Sequence, residues 1–233
     1  MSDLHLLRIP VHAPRLLRFA AEHGIAQEDV TLGYTLHAWL SALFGAQAPK
    51  PFRYIERRSE VLAYAPLSHT ELLAHAQAFA PPSAWAGLDA DAVASKPMPA
   101  AWRQGQRLRL EVLVCPVTRR GSEEKDLYLR ALDHHADAAP PRAEVYRNWF
   151  TQQWADAVRF DRVELLGMNA RSRLLRRARN GANRLRIVER PQALFCADAA
   201  IADPNHFSAL LARGIGRHRA FGFGMVLLSP ASA

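Results

Sequence analysis

Tyr34 and His37 are the two side chains whose types and spacing best suit acid–base chemistry. They lie three residues apart in a segment, 34–44, whose apolar residues recur at helical spacing, so both should share one helix face. A histidine titrates near neutrality, and a neighbouring phenol can position or protonate the same group. The pair could therefore act on one phosphate. On spacing alone, a partly buried histidine on an apolar helix is the better interpretation of His37.

A glycine-rich loop, residues 214–224, is the second feature, because four glycines bracket a basic turn. Glycine permits positive φ and close approach to the main chain, and basic side chains suit phosphate. A helix end, a turn and a strand would explain the same pattern. The spacing matches neither a Walker loop nor a dinucleotide fingerprint. The residues concerned are Gly214, Gly216, Arg217, His218, Arg219, Gly222 and Gly224.

Arginine carries the net charge of +8, since only three of the 30 basic residues are lysine. Guanidinium groups bind phosphate in a bidentate manner and stack on bases, which favours a nucleic-acid partner. Seven arginines and no acidic residue fall between positions 171 and 186, which predicts a polyanion-binding surface rather than an ordinary basic one. They are Arg171, Arg173, Arg176, Arg177, Arg179, Arg184 and Arg186.

Composition excludes several classes of protein. No stretch is long and apolar enough to cross a membrane, so we expect a cytoplasmic protein without a membrane partner. Cys115 and Cys196 stand alone in apolar segments and predict buried thiols rather than a disulfide or a zinc site. No acidic and histidine cluster has the spacing of metal ligands, so we expect no metal and no cofactor.

The hydrophobic patterns predict the order β-α-β-β-α-β twice. In the first half, Ser68 and Glu71 form a capping box at the start of a helix, and in the second, Asp203 and Pro204 begin one. The first half is expected to hold strands at 4–11, 52–57, 61–65 and 94–98 and helices from 14, over 34–44 and over 68–79. The second is expected to hold strands at 107–114, 158–167, 184–190, 193–199 and 225–228 and helices over 123–136, 142–157 and 203–213.

This order predicts an α+β chain of two tandem ferredoxin-like (βαββαβ) domains. The predicted domains are 1–99, which carries the helix of Tyr34 and His37, and 100–233. The second would contain a helical insertion at 123–157 together with the arginine segment and the glycine-rich loop.

Three stretches resemble the RAMP superfamily of CRISPR-associated proteins, and more specifically the CasE-type endoribonucleases that process precursor crRNA. They are the glycine-rich loop with its following strand (214–228), the Tyr34-x-x-His37 helix start with the strand after it, and the strand and basic turn at 105–120. Types I-E and IV both contain proteins with such a loop.

The resemblance implies a metal-independent endoribonuclease with His37 and Tyr34 as catalytic residues. It would cut at the 3′ side of a CRISPR repeat RNA stem-loop through 2′-hydroxyl attack, leaving a 2′,3′-cyclic phosphate and a 5′-hydroxyl. The glycine-rich loop, the arginine segment, Arg119 and Arg120 would bind RNA, and subunits of an interference complex would be partners. Arg15 and Arg18 are alternatives for stabilising the phosphate. A non-catalytic RNA-binding scaffold subunit is the alternative function.

Overall fold

Residues 4–25, 32–135, 140–177 and 185–231 are described by the structure, a computed structural model. They divide into two units. The first takes the described residues of 1–100, 173–189 and 219–222, and the second takes those of 101–172, 190–218 and 223–233. The predicted domain boundary at 99 and 100 stays a prediction.

The first unit has a β-α-α-β-β-α-α-β order. Its elements are β1 (His5–Pro10), α1 (Ala13–Glu22), α2 (Gly33–Phe44), β2 (Phe52–Ile55), β3 (Glu60–Ala65), α3 (His69–Phe79), α4 (Pro82–Trp85) and β4 (Ala94–Pro97). The strands lie in the order β2-β3-β1-β4. β3 pairs antiparallel with β2 and β1, and β1 pairs antiparallel with β4, with Leu7 opposite both Ala63 and Ser95. This is the strand order of a ferredoxin-like sheet, with the first strand in the centre.

Helix α2 is held in place by its apolar face. Leu36, Trp39, Leu40 and Leu43 recur at helical spacing and are all buried in the core of this unit. The Trp39 indole also donates a hydrogen bond of 2.9 Å to the carbonyl of Ala84. The predicted helix is thus confirmed, and its first turn carries Tyr34.

The second unit repeats the pattern with a longer insertion. Its elements are β5 (Arg107–Val114), β6 (Val117–Arg120), β7 (Glu123–Asp126), α5 (Leu127–His135), α6 (Arg142–Gln152), β8 (Val158–Arg177), β9 (Leu185–Ile201), α7 (Pro204–Arg213) and β10 (Val226–Pro230). Strands β8 and β9 also contribute residues to the first unit. The main sheet has the order β10-β5-β9-β8, again ferredoxin-like, and β6 and β7 form a separate hairpin. The predicted α+β fold class is confirmed.

The expected helix over 123–136 is wrong at its start, because Glu123–Asp126 is strand β7. Acidic residues are common in the first turn of a helix, which explains the error. In the ladder with β6, Glu124 is opposite Arg119 and Glu123 is opposite Arg120, while the Glu124 carboxylate accepts from Arg190 and the Glu123 carboxylate accepts from Arg130. Backbone pairing with β6 therefore makes this segment a strand.

Three other predicted boundaries move. Helix α6 ends at Gln152 rather than at 157, and β8 continues beyond 167 to Arg177. The two strands expected at 184–190 and 193–199 form one strand, β9. Pro191 lies inside β9, but the pairing of β9 with β5 begins only at Ala193, opposite Val114, so that ladder does not need the amide that proline lacks.

Candidate active site

Tyr34 and His37 lie one turn apart at the start of α2, as their spacing predicts. Their ring centroids are 6.2 Å apart with planes at 70°. Tyr34 is buried, while His37 is half-buried. The partial burial of His37 matches what was expected of a histidine on an apolar helix.

Phe221 joins this pair, although sequence spacing gave no sign of it. Its ring stacks on the Tyr34 ring, with centroids 6.2 Å apart and an interplanar angle of 14°. The centroid of the Phe221 ring also lies 5.0 Å from that of the His37 ring. Phe221 lies in a short 3-10 turn within the glycine-rich loop, 184 positions after His37 in the chain. A contact over that separation has no periodic signal in the sequence.

A cavity of about 600 Å³ opens beside the three rings. Phe19, His23 and Ile25 line it together with Tyr34, His37 and Phe221. A smaller cavity of about 130 Å³ lies next to it, and His37 and Ser41 line both. His37 and Tyr34 thus line the same cavity.

His23 is a second histidine on the larger cavity. It ends α1, where its backbone amide bonds to the carbonyls of Phe19 and Ala20. Its Nδ1 lies 2.8 Å from the Phe19 carbonyl oxygen, and its ring stacks on the Phe19 ring with centroids 4.0 Å apart. Because a carbonyl oxygen only accepts, Nδ1 carries the proton in this hydrogen bond. The sequence predictions did not include His23.

The glycine-rich loop needs glycine at Gly224. A Cβ there would lie 2.2 Å from the carbonyl oxygen of Ile215, and the φ of +76° is also unfavourable for other residues. The Ile215 amide donates to the Gly224 carbonyl at 2.8 Å, and the Gly224 amide donates to the Leu113 carbonyl at 2.7 Å. These bonds tie the loop to itself and to β5. A tight structural turn therefore explains this glycine.

Glu124 is the anchor of the basic turn. Its buried carboxylate accepts hydrogen bonds from Arg190 Nε at 2.8 Å, Arg217 Nε at 2.9 Å and His218 Nε2 at 2.9 Å. Burial on its own would raise the pKa of Glu124, but the hydrogen bond and charge of His218 and the hydrogen bonds of both arginines hold that pKa well below its usual range. Glu124 is ionised at neutral pH.

The cluster around Glu124 contains two of the predicted RNA-binding residues, Arg217 and His218. The side chain of His218 is only 2% exposed, whereas that of Arg217 is 41% exposed. His218 has its imidazole on Glu124, and its RNA-binding role stays a prediction. Arg217 keeps a solvent-facing part, and Arg219 is half-buried.

The remaining predicted RNA-binding arginines are placed as follows. Arg119 and Arg120 are exposed on β6, and Arg119 Nε donates to the Gly121 carbonyl at 2.9 Å. Arg171 and Arg173 on β8 and Arg186 on β9 are exposed. Arg176 and Arg177 belong to β8, but their side chains lie outside the described part of the structure. Arg179 and Arg184 lie outside the described residues altogether.

The alternative phosphate ligands, Arg15 and Arg18, are exposed on α1, and Arg15 Nη1 donates to the Ala86 carbonyl at 3.0 Å. Among the described residues, no group of three or more His, Cys, Asp or Glu side chains is placed to hold a metal ion. Cys115 and Cys196 are buried and form no disulfide, as predicted. No helix in the described ranges has the length and apolarity of a membrane span.

Known structures with the same fold include RNA-bound proteins. The CRISPR endoribonuclease Cse3 of Thermus thermophilus, bound to an RNA representing a pre-cleavage complex, is 17% identical with a TM-score of 0.61 over 98% of this chain and 100% of its own. Cas6e of Escherichia coli is 14% identical with a TM-score of 0.55, covering 97% and 99%. A chain of a CRISPR RNA-guided surveillance complex is 18% identical with a TM-score of 0.53, covering 97% and 99%.

No curated protein sequence matches the chain. The family model described as CRISPR associated protein, in contrast, matches residues 4–230, which is nearly all of the sequence. Both units and the glycine-rich loop fall inside this match. The chain therefore belongs to the CRISPR associated protein family.

Proposed function

We propose that this protein is an endoribonuclease that processes CRISPR precursor RNA at the 3′ side of the repeat stem-loop. The 2′-hydroxyl next to the scissile phosphate attacks it, leaving a 2′,3′-cyclic phosphate and a 5′-hydroxyl without a metal ion. The observation that carries the proposal is the meeting of Tyr34, His37 and Phe221 on one cavity of about 600 Å³. Fold similarity to RNA-bound endoribonucleases of CRISPR systems supports the choice of substrate.

His37 and Tyr34 have complementary tasks in this reaction. His37 transfers a proton, since an imidazole can exist in both protonation states near neutrality. The Tyr34 hydroxyl binds a non-bridging oxygen of the phosphate, because a phenol donates a hydrogen bond at neutral pH. Both residues stand at the N-terminal end of α2, whose dipole favours an anion. Acid–base groups therefore suffice for bond cleavage.

The arginines hold the RNA. We assign backbone contacts near the cut to Arg119, Arg120, Arg217 and Arg219, and contacts along the stem to the arginine segment of β8 and β9. Double-stranded RNA is recognised mainly through its phosphates and A-form shape, for which guanidinium groups are suited. The exposure of Arg171, Arg173 and Arg186 supports this assignment.

The mature RNA and further protein subunits are the proposed partners. A similar chain is part of a CRISPR RNA-guided surveillance complex. We infer that this protein keeps its product bound through the stem and enters an interference complex with it. A product kept bound in this way would be released slowly.

Replacing the 2′-hydroxyl at the scissile nucleotide by hydrogen tests the proposal. The wild-type protein should cleave a repeat hairpin and should bind the 2′-deoxy hairpin with nearly equal affinity but leave it uncut, because the nucleophile is missing. Single-turnover gel assays and filter binding measure the two quantities. Binding of both RNAs without cleavage of either would contradict the enzyme and identify a non-catalytic RNA-binding scaffold.

A further inference from the structure

We propose that His23 is a second catalytic residue, the general acid that protonates the leaving 5′-oxygen. This assignment rests on the proposed function and divides proton transfer between two histidines. The observation behind it is that His23, from the end of α1, and His37, from the start of α2, line the same cavity. No pattern in the sequence connects the two.

The His23 ring is held in a defined orientation. Its Nδ1–H donates to the Phe19 carbonyl at 2.8 Å, and its face stacks on the Phe19 ring at 4.0 Å. Phe19 is fully buried, so it is a rigid support. With Nδ1 committed to the carbonyl, proton exchange with a substrate falls to Nε2. A histidine fixed through one nitrogen and open through the other has the arrangement required of an acid or base.

Backbone contacts hold His23 at the edge of the cavity. The backbone amide of His23 bonds to helix carbonyls of α1, and Ile25, which is buried, follows two residues later and also lines the cavity. The residue itself stays exposed, so water reaches its imidazole before RNA binds. Supply of protons from water is therefore not limited.

The reaction balances with two histidines. His37 accepts the proton of the 2′-hydroxyl as the 2′-oxygen bonds to phosphorus. The bond between phosphorus and the 5′-oxygen breaks, and the 5′-oxygen takes the proton carried by His23 Nε2. The products are the 2′,3′-cyclic phosphate, the 5′-hydroxyl, protonated His37 and neutral His23. Exchange of one proton with water at each histidine restores the starting state.

A purely structural role for His23 is the competing explanation, and His75 shows what such a role looks like. His75, on α3 of the same unit, contacts the Phe79 ring with centroids 5.0 Å apart and lines neither cavity. Like His23, it contacts a phenylalanine ring, but unlike His23 it does not line the cavity. His75→Ala is thus the matched control.

Two substrates test the assignment. One is a repeat hairpin with an ordinary phosphodiester at the cut, and the other has sulfur in place of the bridging 5′-oxygen. A thiolate leaves without protonation, so loss of a general acid should slow only the oxygen substrate. We expect His23→Ala and His23→Asn to lower the single-turnover rate on the oxygen substrate by about 100-fold or more, and to change the sulfur substrate by less than about fivefold. Asn can retain the hydrogen bond to the Phe19 carbonyl.

The controls separate the possible failures. Both variants should bind the 2′-deoxy hairpin like the wild type, and His75→Ala should cleave both substrates normally. Equal slowing of the two substrates by His23→Asn, or no slowing of either, would overturn the role of His23 while leaving the proposed function in place. A wild-type protein that cleaves neither substrate would overturn the proposed function and the role of His23 with it.

Discussion

His37 and His218 are both histidines beside aromatic or glycine-rich motifs, but they lie in opposite environments. His37 is half-buried and faces two cavities, whereas the His218 side chain is 2% exposed and its Nε2 lies 2.9 Å from the Glu124 carboxylate. A buried hydrogen bond to a carboxylate gives a histidine a fixed partner, while an open cavity gives it access to a substrate. Surroundings, rather than residue type, separate the candidate catalytic residue from the structural one.

The largest effect should come from His37→Ala. Removal of a proton-transfer group is expected to lower the single-turnover cleavage rate by about 100- to 10,000-fold. Binding of the 2′-deoxy hairpin and the melting temperature should change little, because His37 borders cavities. A fall in binding that matches the fall in rate would make His37 an RNA-holding or structural residue and remove the contrast with His218.

Glu124→Gln should act on stability. The change leaves Arg190, Arg217 and His218 without the charge they share, and breaking a buried ion pair by removing one partner costs about 3–5 kcal/mol. We expect the lower end, about 3 kcal/mol in the free energy of unfolding, since Arg217 can turn to water. Urea denaturation at neutral pH measures the loss.

Glu123→Gln is the control, because Glu123 is the neighbouring acid of β7 and its side chain is 63% exposed in a pair with Arg130. It should cost less than about 1 kcal/mol. Equal effects of the two substitutions would mean that the cluster of Glu124 does not anchor the turn.

The Glu124 carboxylate should make the stability of the folded protein sensitive to acid. The pKa of Glu124 is lower in the folded than in the unfolded protein, so its stabilisation is complete above the unfolded pKa of about 4.3 and is lost as pH falls below that value. The wild type should therefore lose stability between about pH 5 and pH 3 more steeply than Glu124→Gln. Parallel curves for the two proteins would contradict a lowered pKa.

Local signals in the sequence explain what could be predicted. The capping box of Ser68 and Glu71 and the N-cap of Asp203 appear in the structure, because both depend on residues within one helical turn. The helix carrying Tyr34 and His37 followed from its apolar spacing for the same reason.

Long-range contacts explain which features could not be predicted from the sequence. Phe221 reaches Tyr34 and His37, and Glu124 reaches His218, across 94 or more positions of the chain. The strand character of β7 depends on its pairing with β6, which outweighs the helical appearance of its acidic residues. His23 was not among the predicted residues, since only the fold brings it to the cavity of His37.

The ends of the RNA products test the central claim most directly. Wild-type protein is incubated with a repeat hairpin in excess EDTA, and the fragments are analysed by mass spectrometry. Attack by the 2′-hydroxyl without a metal predicts a 2′,3′-cyclic phosphate, or the phosphate formed when it opens, on one fragment and a 5′-hydroxyl on the other. Fragments with a 3′-hydroxyl and a 5′-phosphate, or loss of cleavage in EDTA, would contradict it.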